Sequence, residues 1–222
     1  MFQIFTMTMT IFLMAFPVLA QDLCPAKPVG DINVVWGSDK IEYNFKKSQS
    51  QMDRMDIDTK SPYDRHVKTH VGGLMQGGIS VESKIQVASL TYPRTRQTCQ
   101  WIDNMEVNIT IDPKIYIARD HKQGTCHHDA ILGHEMKHVF VDREIVKKFI
   151  PQIEAELNAA VRKVGIVGPK PERDLRKYQK KISDYMDQRL KRVSEKMYDE
   201  RKNRQQKVDT LEEYERVAGM CD

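Results

Sequence analysis

Residues 134–138 read His-Glu-Met-Lys-His, placing two imidazoles four residues apart with a carboxylate directly after the first. On a helix, residues four apart share a face, so His134 and His138 can address one ion at about 2.0 to 2.1 Å. Glu135 lies one residue round the helix. It can reach a water on that ion without taking a ligand position, so it is suited to accept the water's proton and pass it to a leaving amine. The chemistry expected is zinc-dependent hydrolysis of a peptide bond. The pattern also arises by chance in about one sequence per hundred of this composition. A histidine pair that only caps or packs a helix is therefore the alternative.

The segment HEMKHVFVDREIV, with an apolar leader ahead of it and a charged helix behind, resembles the bacterial predicted secreted zinc-dependent proteases within the HExxH zincins. The resemblance is close over the motif helix and loose elsewhere. It implies a metal on His134 and His138 and a general base at Glu135, and it names no substrate.

The third ligand departs from familiar patterns. A metzincin extension requires Gly and His where this chain has Val141 and Glu144. Asp142, about 6 Å along the helix from His138, has too short a side chain to reach the ion. It is expected to act as an acid outside the coordination sphere or as a salt-bridge partner. In the gluzincin arrangement a Glu on the following helix completes the site. Glu156 is chosen here, with Glu154, Glu144 and an upstream histidine as alternatives. His66 and His70 are also four apart but lack the following Glu, and are read as a surface pair. His127 and His128, near the start of the motif helix, can touch substrate or serve as an upstream ligand; the alternative is that they are ordinary polar residues of its first turn. Asn108-Ile109-Thr110 matches a glycosylation sequon and carries little weight on a strand.

Positioning these groups requires an α+β fold: a small antiparallel β-sheet, then the HExxH helix, a second helix and a long charged C-terminal helix. INVVW and IEYNF flank Gly37-Ser38-Asp39-Lys40 as in a hairpin, and strands follow in ISVESKIQVASLTY and NMEVNITI. An edge strand from 104–118 is the expected platform for an extended peptide. The helical period begins near residue 126, Pro151 is expected to stop it at 149, and a second helix covers 152–164. From Leu175 to Met197 a three-and-four-spaced apolar stripe marks the third helix, which either packs on its own domain or binds a partner helix.

The domain organisation expected is a signal peptide over 1–20, a metallopeptidase domain over 21–168 and a helical extension over 169–222. The leader MFQIFTMTMTIFLMAFPVLA is uncharged and apolar and ends in small residues, predicting export to the periplasm or exterior; an uncleaved anchor is the alternative. No later segment has spanning length. Cys24, Cys99, Cys126 and Cys221 are then expected in disulfides, with 99 joined to 126 and 24 to 221. A net charge of +4 permits an anionic partner. The basic residues of 170–207 alternate with acids, however, and no aromatic-basic motif accompanies them, which argues against nucleic acid. The runner-up function is a non-catalytic exported binding protein working through the long helix, with zinc absent or structural.

Overall fold

The computed structural model describes residues 24, 26 and 30–221, apart from 58, 65 and 68. The expected signal peptide lies outside the described residues. The chain has the α+β class the sequence predicts. It begins with β1 (Asp31–Ser38), β2 (Glu42–Asn44) and a single helical turn α1 (Gln49–Met52). β3 (Gly73–Gln76), β4 (Ile79–Tyr92), β5 (Gln97–Ile111) and β6 (Lys114–Ile117) precede the helix α2 (Cys126–Val164). β7 (Ile166–Pro171), α3 (Leu175–Val208) and α4 (Leu211–Ala218) complete it.

The strands form two mixed sheets instead of one antiparallel sheet. β5 is central in the first: β4 runs antiparallel along one edge, and β7 and β1 share the other. In the second, β6 lies between β2 and β3. The expected hairpin between INVVW and IEYNF does not form. β1 pairs in parallel with β5 and β2 with β6, so the two chain segments step together from one sheet to the other. The backbone bonds Asp39 N–H to Ile111 O (2.8 Å) and Glu42 N–H to Pro113 O (3.0 Å) fix that step.

From Met105 onward every second residue of β5 is buried: Met105, Val107, Ile109 and Ile111. This face meets Ile145, Val146, Phe149, Ile153 and Leu157 of α2, and Ile182, Met186, Leu190, Val193 and Met197 of α3, in one core. The stripe of α3 therefore packs within its own chain. Pro151 does not end the helix, which runs unbroken for 39 residues. An internal proline costs about 3 kcal/mol. Phe149 and Ile153 on either side of it are buried, and each such side chain returns roughly 1.5–3 kcal/mol if the helix continues.

All four cysteines are in disulfides, but the pairing differs from that expected: Cys24 joins Cys99 and Cys126 joins Cys221, with Cα separations of 5.8 and 5.7 Å. Cys99 lies near the start of a strand that runs on for about 40 Å to Ile111. β6 then enters the second sheet instead of returning along β5, so Cys126 is not brought back to it. The Cys126–Cys221 bridge instead ties the end of the chain to the start of α2. α4 buries no side chain of its own, so this bridge is a principal clamp on it. Replacing both Cys126 and Cys221 by Ser should cost about 2–5 kcal/mol. An unchanged urea midpoint would contradict this.

Candidate metal centre

Thr125 caps α2 by accepting from the His128 N–H (3.4 Å), and the motif begins two turns later. Its apolar flank, Val139, packs on Ile115 and Ile117 of β6. The opposite side turns His134 and His138 toward the end of α3. There Asp209 completes the group: its Oδ1 lies 3.1 Å from Nε2 of His134 and 3.1 Å from Nε2 of His138. All three side chains are buried, and their donor atoms lie within 4.8 Å of one another, so the group can hold a metal ion. Two neutral imidazoles and one carboxylate suit a divalent cation such as zinc.

Each imidazole is oriented through its other nitrogen. Nδ1 of His134 lies 3.3 Å from Glu213 Oε1, and the same carboxylate accepts from Lys137 (2.6 Å) and Arg216 (2.8 Å). Nδ1 of His138 lies 2.5 Å from Gln205 Oε1, whose amide donates to the His138 carbonyl (3.1 Å) and to Asp142 (2.7 Å). That amide orientation makes Oε1 the acceptor, so Nδ1 of His138 carries the hydrogen and Nε2 is directed at Asp209. Asp142 is buried and clamped by both Nε (2.7 Å) and Nη2 (3.1 Å) of Arg201. It therefore stands outside the donor group and has a salt-bridge partner.

Glu156 does not join the group. Because α2 continues through Pro151, 18 residues separate Glu156 from His138 on one rod, or about 27 Å, and Glu156 pairs with Arg189 of α3. Glu154 is carried away for the same reason, and Glu144 faces Arg204 at 3.7 Å. His70 bonds Asp53 (2.8 Å), and His121 stacks on His127 at the rim of the cleft. His128 is buried edge-on against Phe45.

The donor group opens into a cleft of about 840 Å³ bounded by α2, β3, the end of α3, α4 and the residues Ile57, Thr59, Ser61 and Tyr63. The expected substrate platform over 104–118 has no free edge, because β5 and β6 both have neighbours on either side. β3 is the edge strand beside the motif. Gly72 O accepts from Ala118 N–H (2.8 Å), so by antiparallel alternation the peptide groups of Gly73 and Met75 face away from β6. The Met75 N–H bonds the Glu135 carboxylate. Gly73 makes this approach possible: a β-carbon there would lie 2.6 Å from Glu135 Oε1 and closer still to Ile131.

Burial pushes the Glu135 carboxyl above its ordinary range, against the opposing charge of the two imidazoles. Burial also disfavours charge on His134 and His138, but the hydrogen bond to Asp209 and the Glu135 charge outweigh it and raise both. Burial disfavours charge on Asp209 as well, yet hydrogen bonds from His134, His138 and Thr59 hold its carboxyl far below the usual range. For metal-free protein, the raised imidazoles add stability that is complete below about pH 6.5 and lost as pH rises through their folded values. Asp209 adds stability present above about pH 3.9 and lost as pH falls through its folded value. Metal-free protein should therefore melt at progressively lower temperature from about pH 6 to 9, and Asp209→Asn should flatten the slope. With zinc in excess the slope should reverse over the lower part of this range, because metal competes with protons for the imidazoles. Melting curves with and without zinc test both signs.

Comparison with known protein families, curated proteins and solved structures gives no match. The reading of function therefore rests on the residues and their geometry.

Proposed function

We propose that this chain is a zinc-dependent metallopeptidase working in an oxidising compartment outside the cytoplasm, to which the N-terminal leader directs it. The observation that carries the reading is the convergence of Asp209 on the His134–His138 pair with the buried Glu135 beside them. A divalent cation held there would polarise a carbonyl and acidify a coordinated water. The chain supplies the rest. Glu135 takes a proton from the attacking water and returns it to the departing amine, a task for which a carboxyl pushed upward by burial is suited. The Gly73 peptide groups and the Met75 carbonyl, which face away from β6, hold an extended substrate by backbone pairing, and Ile57, Val71, Ile131 and Val217 give the cleft apolar walls.

The two disulfides suit an exported protein, and no helix among the described residues is long and apolar enough to cross a membrane. The same donor set also suits iron(II). Glu135, placed for proton transfer to and from a hydrolytic water, favours zinc. The test is to expose purified protein to a broad peptide mixture and identify new termini by mass spectrometry. Cleavage should stop on chelation and return with zinc. Stoichiometric zinc without any cleavage would contradict the proposal and favour a binding protein with a structural metal.

A further inference from the structure

Among the described residues β4 is the outer strand of the first sheet, and no strand pairs with its far edge. Gly78 O accepts from the Asp112 N–H (3.2 Å). By antiparallel alternation the peptide groups of the even-numbered residues then face β5, and those of Ile79, Val81, Ser83 and Ile85 face outward. This outward edge is closed at both ends. The Tyr198 hydroxyl donates to Ile79 O (3.1 Å), and the register with β5 shifts between Gln86 and Val87. The stretch left open runs from residue 80 to residue 86, with Ser83 at its midpoint. The stretch also complements itself when reversed. About Ser83, Glu82 mirrors Lys84 and Val81 mirrors Ile85. Val81 and Ile85 are half-buried against the core, whereas Glu82 and Lys84 are exposed on the other face of the strand. Ser83 is small, and its hydroxyl is already engaged with Asp187 (3.4 Å).

We propose that β4 pairs antiparallel with β4 of a second copy of this chain, on a two-fold axis at Ser83, joining the first sheets of the two copies into one. The outward N–H and C=O groups of Val81, Ser83 and Ile85 are satisfied by the other copy. Directly opposite residues share a face of the sheet, so Val81 meets Ile85 on the core side and Glu82 meets Lys84 on the exposed side. Symmetry makes each of these contacts twice. A surface that binds its own copy about a two-fold axis closes the assembly at two chains. The inference stands independently of the peptidase reading.

Analytical ultracentrifugation of the full chain over a concentration series tests this. Wild type should show a reversible monomer–dimer equilibrium. Glu82→Lys sets lysine against lysine at both contacts, and within its own sheet it faces the neutral Asn108, so the fold is retained. Lys84→Glu sets glutamate against glutamate. Each variant alone should dimerise about tenfold more weakly or worse. Mixed in equal amounts, the two present opposite signs at both contacts and should associate as tightly as wild type, a rescue that a misfolded variant could not give. Wild type that stays monomeric at every concentration would overturn the proposal. A dimer indifferent to both substitutions would overturn it by placing the association on another surface, and a mixture that stays monomeric would overturn the register about Ser83.

Discussion

Glu135→Gln is expected to retain the metal and the fold and to lose about 100- to 10,000-fold in peptide hydrolysis, the range that a positioned general base contributes. The amide nearly matches the carboxylate in size but cannot take a proton from water. Its oxygen can still accept from the Met75 N–H that holds Glu135 against β3. Glu135 is buried and lies outside the donor group, so removing its charge leaves His134, His138 and Asp209 in place. His138→Ala should lose metal and activity together. Metal content by mass spectrometry, read beside cleavage of one defined peptide, separates the outcomes. Full cleavage by Glu135→Gln would remove the proposed mechanism.

The second large effect concerns the ligand supplied from the far end of α3. Asp209→Ala should weaken zinc binding more than about 100-fold, beyond the roughly 10- to 100-fold that loss of an outer hydrogen-bonding partner costs. Glu156→Ala should leave zinc affinity unchanged, since Glu156 faces Arg189 in a different part of the molecule. Competition with a chromophoric chelator measures both variants on one scale. Matching losses in the two would contradict the assignment of Asp209.

What could be read in the chain divides by distance along it. The relation among His134, Glu135 and His138 is local and follows from helical period alone. Asp209 lies 71 residues beyond His138, and only tertiary packing brings it there. One signal was available: Thr210 followed three residues later by Glu213 is a helix-start pattern, and Thr210 does accept from the Glu213 N–H (3.2 Å). It marks the end of α3 and the return of the chain, with an acid at the junction. Glu156 was misplaced because a local rule, that proline stops a helix, gave way to the burial of Phe149 and Ile153. The same limit applies to the cysteines: their number and the oxidising context are readable, but pairing depends on where β5 and α4 carry them.

The most direct test is anomalous diffraction at the zinc edge from crystals of the metal-loaded protein. One peak is predicted, at about 2.0–2.2 Å from Nε2 of His134, Nε2 of His138 and a carboxylate oxygen of Asp209. Stoichiometric zinc with no peak among these three residues would contradict the account.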